Sequence, residues 1–325
     1  MKINRIPEPG LSLTRICALL FLLPFWLPLF LPAAAQGALI TDYRVVHQTV
    51  SAAGGTPQVA IRSFNSDGVA RFLVVDPVTM ACQDLPASQL SFPGASADPL
   101  LAATPFLKAL NRYNSAPYRL QNGGLTRAES EVDGMFLTVD LCPSTRPFAR
   151  ELFEAAGALD NGGLPIPVAV AVSGLWLASH AEDLAYLQRE SASGRLAITW
   201  VNHSYHHHYQ PRAPLGQNFL LIPGTDLVSE VLDLEQQLLA FGLVPSPFFR
   251  FPGLVSDPTT MRRLRELSLV PVGSDAWLAK GESPRRGSII LVHGNGNEPN
   301  GVKLLLPMLK NKALRLLPLP AAFGI

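Results

Sequence analysis

From Met135 onward the chain alternates short, almost wholly apolar runs with longer amphipathic ones. The apolar runs are Met135–Val139, Ile166–Val172, Leu196–Val201, Phe248–Phe251, Leu269–Val272, Ser288–Val292 and Leu314–Leu319. Each has strand length, and strands apolar on both faces belong to parallel sheets covered by helices. Helical spacing falls between most of them. Leu227, Val231, Leu234 and Leu238 line one face of a helix that Gly242 terminates. Ser179 with Glu182 predicts a capping box opening a helix over His180–Glu190, and Asp257 predicts the start of another through Met261–Leu264. Strand and helix in alternation specify an α/β fold. Seven strand units predict a barrel of seven strands, with a doubly wound open sheet as the alternative.

The pattern before Met135 is different. Tyr43–Val46, Gln58–Ile61 and Arg71–Val75 read as short strands, separated by turn formers at Gly54–Gly55, Asn65–Gly68 and Asp76–Pro77. A short helix is expected near Pro105–Arg112. Residues 36–130 therefore predict a small β-rich module preceding a barrel over 131–325. Polymer binding, covering of the barrel's N-terminal face and dimerisation are all open for that module, and no residue pattern sets an oligomeric state.

The first 35 residues are a third kind of segment. Lys2, Arg5 and Arg15 precede an apolar run from Ile16 to Leu31, and Ala33–Ala35 follow. Basic, apolar and small residues in that order predict a secretory signal, cleaved near Ala35–Gln36. The run is short and broken by Pro24 and Pro28, which argues against an uncleaved anchor. The mature chain is then expected to be exported, periplasmic or secreted, and soluble.

Composition narrows the function. Setting aside Lys2, Arg5, Arg15 and Glu8 leaves 23 basic and 24 acidic residues in the mature chain. A near-neutral chain without a basic block gives no footing for nucleic acid. Cys82 and Cys142 survive maturation and could pair in an oxidising compartment, which sequence leaves open.

Residues suited to metal or acid–base chemistry gather where the apolar runs end, and α/β barrels build active sites at the C-terminal ends of their strands. Asp140 ends the first run, His203 and His207 follow the third, Arg250 lies in the fourth, Asp275 follows the fifth and His293 the sixth. On a helical turn, the four-residue spacing of His203 and His207 would bring both imidazoles to one face, as a divalent metal requires. Four of the seven histidines lie in Asn202–Tyr209, which a solvated run would also give, but the strand-end context favours the metal. Asp140 could instead cap the next helix. Arg250, set among Phe248, Phe249 and Phe251, needs a carboxylate if it is buried, and Asp140 and Asp275 are the candidates. Otherwise it snorkels to the surface. His293 leads into the flexible Gly294–Asn297 loop, a position suited to a general acid.

In order, the chain carries Leu137-Thr138-Val139-Asp140, Asn202-His203-Ser204-Tyr205-His206-His207, Arg250-Phe251-Pro252-Gly253, Asp275-Ala276-Trp277 and Leu291-Val292-His293. This series resembles the five motifs of the NodB-like polysaccharide deacetylases, carbohydrate esterase family 4, over about Met135 to Leu319. The resemblance implies a distorted (β/α)7-type barrel and an acetylated polysaccharide as substrate. It also implies a divalent metal ion, most often zinc, on His203 and His207. Asp140 would be the catalytic base, His293 the acid, Arg250 the residue orienting the base and Asp275 the residue tuning the acid. Trp277 and Leu291 would border the acetyl pocket, and the N–H of Gly253 would face the oxyanion.

Two positions depart from that pattern. The family usually places a second, metal-ligating Asp directly after the base, and here that position is Leu141. The metal would then be held by the two histidines plus waters, which is the favoured reading. Alternatively Asp140 becomes a ligand, or Cys142 contributes a thiolate unless it is tied to Cys82. Gly253 stands where an aromatic residue is frequent, which predicts an opened cleft. An active deacetylase, a non-catalytic glycan-binding protein and another metal-dependent amidohydrolase remain as readings, with joint retention of Asp140, Arg250, Asp275 and His293 favouring catalysis.

Overall fold

The computed structural model describes residues 37–52, 55–92, 99–311 and 314–325. The segment read as an export signal lies outside the described residues, and no helix within them is long and apolar enough to cross a membrane. The chain opens with β1 (Ile40–Ala52), β2 (Gln58–Ser66), β3 (Val69–Val75), β4 (Cys82–Pro86) and β5 (Leu90–Ser91), an antiparallel sheet in the order β4-β3-β2-β1-β5. Helices α1 (Pro99–Ala102) and α2 (Pro105–Tyr113) follow.

The second sheet is wholly parallel. It contains β6 (Phe136–Leu141), β7 (Ile166–Val172), β8 (Leu196–Asn202), β9 (Pro245–Phe249), β10 (Val270–Pro271), β11 (Ala276–Trp277) and β12 (Ile289–His293). Their order is β10-β9-β8-β7-β6-β12-β11, curled as expected of a distorted barrel. Its helices are α3 (Arg150–Gly157), α4 (Gly174–Ser179), α5 (Ala181–Ala192), α6 (Leu227–Ala240), α7 (Pro258–Glu266) and α8 (Pro299–Lys310). Strands β6, β7 and β9 are buried along their whole length.

Three local expectations meet different outcomes. Helix α6 runs as its apolar stripe predicts, capped by Asp226, and Gly242 (φ 72°) ends it in the left-handed region. Asp257 opens α7 with a capping box to Thr260. The capping box at Ser179 is not formed. Ser173 opens α4 and uses the chain up to Ser179, whose hydroxyl donates back to the carbonyl of Leu175, while α5 begins without a side-chain cap. Leu314–Leu319 is likewise not the seventh strand. It makes one bridge, Leu316 to Met135, and then turns into a short 3-10 helix over Leu319–Phe323. Pro318 and Pro320 have no N–H to donate to a ladder, and β11 supplies the seventh strand instead.

The seam between the two edge strands is filled by the chain that precedes the barrel. Leu125 bridges Val272, beside β10, and Arg127 bridges Ser288, just before β12. Gly124 (φ 87°) allows this approach, since a Cβ there would stand 2.2 Å from the Pro271 carbonyl oxygen. The antiparallel sheet is not separate either. Its Ile61, Phe64 and Leu73 share one core with Phe136 and Ile289, which open β6 and β12, and with Phe248 and Phe323. It therefore packs at the barrel's N-terminal end, away from the strand ends that carry the polar residues. A second core lies between the sheet's outer face and the helices, built from Leu137, Val139, Leu141, Phe153, Trp176 and Val292 among others.

Glu235 of α6 ties the antiparallel sheet to the helices around the barrel. Its carboxylate accepts from Arg62 Nε at 2.6 Å and Nη2 at 2.9 Å, and from the Tyr43 hydroxyl at 2.9 Å. Arg62 Nη1 donates to the carbonyls of Ile61 and Leu267, both at 2.8 Å, and both charged side chains are fully buried.

Candidate active site

Strand parity decides which residues of β6 reach the interior. Side chains alternate between faces, and Leu137, Val139 and Leu141 pack into the helix-side core. Thr138, Asp140 and Cys142 therefore share the opposite face. Strand β12 lies beside β6 with His293 in register with Asp140, so these two stand side by side at one level. Beyond β7, the exit of β8 carries His203 and His207.

That exit is a bend rather than the helical turn expected from the spacing. Ser204 (φ 65°) and His207 (φ 51°) both occupy the left-handed region. The bend is held by polar contacts: Ser204 N–H donates to Asn202 Oδ1 at 3.0 Å and His206 N–H to Glu230 Oε2 at 2.8 Å. It still brings the His203 and His207 rings together, 4.6 Å between centroids. His206 and His208 turn the other way, toward Glu230.

Arg250 is buried just past β9. Its Nη1 donates to Asp140 Oδ1 at 3.3 Å, and its Nη2 donates to Thr138 Oγ1 at 2.9 Å and Gly273 O at 3.2 Å. Of the two carboxylates expected as its partner, the structure selects Asp140. The carbonyl of Arg250 accepts from His203 Nδ1 at 2.7 Å. A carbonyl can only accept, so the imidazole proton sits on Nδ1 and the Nε2 lone pair faces inward. Burial holds His203 neutral, its pKa pushed down to about 4. Its Nε2 lies 3.5 Å from Cys142 Sγ and 3.7 Å from Asp140 Oδ2.

Burial alone would keep the Cys142 thiol protonated. His207 and His293 facing it outweigh that cost and bring its pKa down to about 7. His293 shows the converse. Burial disfavours its charge, but Cys142, Glu298 and Asp140 hold the imidazole protonated well above its ordinary range. Glu298 Oε2 lies 2.8 Å from His293 Nδ1, in ion-pair range, and accepts from Trp277 Nε1 at 2.6 Å.

A cleft of about 660 Å³ opens above this cluster, with Cys142, His207, Tyr209, Phe219, Trp277 and His293 among its lining. Asp140 and His203 lie beneath, 3% and 1% exposed. The donor atoms of Cys142, His203 and His207 fall within 4.8 Å of one another, and His207 Nε2 is buried with no partner. A tetrahedral ion holds its ligand atoms about 3.5 Å apart. The residues present fit a divalent metal.

In chain path the protein is similar to family 4 carbohydrate esterases. No family model matches the sequence. Among solved structures, one that it resembles is a family 4 carbohydrate esterase from Bacillus anthracis, at 18% identity over 71% of this chain and 95% of that one, with a TM-score of 0.45. A chitin deacetylase from the fungal pathogen Colletotrichum lindemuthianum aligns at 17% identity over 61% and 90% of the two chains, TM-score 0.43. A pseudoenzyme of the same family from Bacillus anthracis aligns at 12% identity over 64% and 70%, TM-score 0.39. Likeness at this level assigns no side chain a role.

The remaining expected residues divide. Trp277 lines the cleft, its ring centroid 5.9 Å from that of His293. Leu291, paired in register with Trp277 on the neighbouring strand, is buried. Asp275 does not reach His293. Its carboxylate accepts from Ser288 Oγ and the Ile289 N–H and pairs with Arg127 Nη1 at 3.2 Å, which fastens the seam. Glu298 stands against His293 in its place. It is the first acidic residue after Gly294–Asn297, and that order was the available signal. Gly253 does not open the cleft, because the Phe219 ring fills the space; a Cβ on Gly253 would stand 2.4 Å from it. Nothing in the spacing of Phe219 and Gly253 foretells this. Cys82 and Cys142 are both free thiols.

Proposed function

We propose that the protein is an exported, metal-dependent deacetylase that hydrolyses acetyl groups from an acetylated glycan. The observation carrying this reading is the pairing of Asp140 and His293 on neighbouring strands, beside two imidazoles able to hold a divalent ion. Hydrolysis of an N-acetyl group consumes one water and yields acetate and a free amine. Asp140 Oδ2, the oxygen that Arg250 leaves free, takes the proton of the attacking water. His293, held by Glu298 at Nδ1, carries the proton that the departing amine nitrogen needs, and its other ring nitrogen is the one left to donate. A divalent metal on His203 and His207 would supply a water acidified to near neutrality and a positive charge beside the developing oxyanion. Tyr209, exposed and stacked on Phe219 at 5.2 Å, offers an aromatic face to a sugar ring across from Trp277.

Acetate release from a panel of N- and O-acetylated glycans tests the reading, run with zinc and with chelator beside a His203→Ala/His207→Ala double variant. Chelator-sensitive release that the double variant lacks is the expected result. If metal-loaded protein released no acetate from any member, the deacetylase reading would fail and glycan binding without turnover would take its place.

A further inference from the structure

We propose that Cys142 is the third protein ligand of this metal site, so that Cys142, His203 and His207 form a thiolate–imidazole–imidazole set that takes a zinc-like ion in preference to magnesium or manganese. The inference rests on the metal-dependent reading above and concerns which atoms hold the ion.

Parity supplies the first reason. Leu141 belongs to the helix-side core and is fully buried there, facing away from the cluster. The next residue returns to Asp140's face, and that residue is Cys142. The second reason is distance. Cys142 Sγ already stands 3.5 Å from His203 Nε2, the separation expected of two donors on one tetrahedral ion. A ring nitrogen of His207 completes a triangle whose sides are all within 4.8 Å, and its Nε2 is buried without a hydrogen-bond partner. The third reason is that, among the described residues, the donor atoms that converge here are those of Cys142, His203 and His207 and not of Asp140, and that Cys142 forms no disulfide.

The backbone around Cys142 is pinned as a ligand's should be. Its carbonyl accepts from Asn295 Nδ2 at 2.7 Å, and the preceding carbonyl, of Leu141, accepts from both the N–H and the hydroxyl of Ser173 at 3.1 Å. Cys142 and His207 line the cleft and His203 lies beneath it, so a fourth position on the ion would face the cleft. Thiolate ligands favour zinc and cobalt over harder, oxygen-seeking cations.

Cobalt(II) titration of the chelator-stripped protein reads the ligand directly. One equivalent should raise an intense near-ultraviolet sulfur-to-cobalt charge-transfer band with the visible bands of a tetrahedral ion. Cys142→Ser should abolish the charge-transfer band and weaken zinc binding by roughly 100-fold. Should that variant fail to fold, alkylation of the wild-type thiol followed by mass spectrometry serves instead, and Cys142 should be protected by zinc but not by magnesium. Visible cobalt bands without charge transfer, or alkylation that metal does not slow, would overturn the ligand assignment. Chelator-sensitive acetate release would survive that result, whereas failure to bind cobalt at all would remove both readings.

Discussion

Two arginines are buried among the described residues, and each meets a carboxylate, yet the two pairs behave as opposites. Arg62 and Glu235 join the antiparallel sheet to α6 through two short bonds, and the one remaining guanidinium nitrogen, Nη1, donates to two carbonyls. Arg250 reaches Asp140 by a single 3.3 Å contact, and its Nε finds no partner. The consequence shows in their charges. Burial disfavours both cations, but Glu235 more than offsets it and Arg62 is held charged even more firmly than usual. At Arg250 burial prevails over the one contact with Asp140 and the pKa moves down. Exposure does not separate the pairs, since all four side chains are nearly or fully inaccessible. Saturation of hydrogen bonds does. A closed network fastens two elements together, while an open one leaves a carboxylate oxygen free for chemistry.

Breaking the closed pair should have the largest effect on folding. Arg62→Ala leaves the buried Glu235 charge with the Tyr43 hydroxyl as its remaining donor, and should lower unfolding free energy by about 3–5 kcal/mol in denaturant titrations. Arg62→Met with Glu235→Leu, which removes both charges at similar volume, should recover most of that loss. If the single replacement cost no more than a surface change, the closed network would not be the fastening that the contacts describe.

The open pair should respond in turnover and not in stability. Asp140→Asn keeps the shape and a contact to Arg250, so unfolding should shift by less than ~1 kcal/mol, while acetate release falls by about 10³-fold. Metal content should be unchanged. A parallel loss of metal would make Asp140 a ligand and leave the proton without an acceptor.

Glu298→Gln sharpens the comparison with the smallest change. Protonated His293 is the working form, so activity on an N-acetyl substrate persists below its raised pKa and is lost as pH rises through it. Removing the Glu298 charge lowers that pKa and should move the alkaline limb of kcat/KM to lower pH. The loss at neutral pH should stay below the ~10²-fold expected for removing a general acid outright. An activated aryl acetate, whose leaving group needs no proton, should show no such movement.

Much of the site was legible because the barrel's architecture converts sequence into position. An apolar run ending in a polar residue is a strand delivering that residue to the C-terminal face, and Asp140, His203, His207, Arg250 and His293 all arrive there. Cys142 entered only as one of three alternatives for completing the metal site, with waters favoured, although its place two residues on from Asp140 sets it on the same face. Glu298 and Phe219 were not, because each meets its partner through a loop whose path depends on packing. Asp275 shows the opposite failure. It stands at the expected strand end but is taken by Arg127, a residue from the chain segment that fills the seam.

The sequence alone determined the alternation of elements, the parallel pairing of strands apolar on both faces, the helix ends at Gly242 and Asp257, and the strand ends that carry the chemistry. These follow from local periodicity, capping and turn conformation, which act within a few residues. Tertiary structure decided the rest: that β11 and not Leu314–Leu319 completes the sheet, that Glu298 meets His293, that Phe219 covers Gly253, and that one arginine network closes while the other stays open. Those outcomes depend on contacts between distant segments, where volume and unsatisfied hydrogen bonds are settled only once the core has packed.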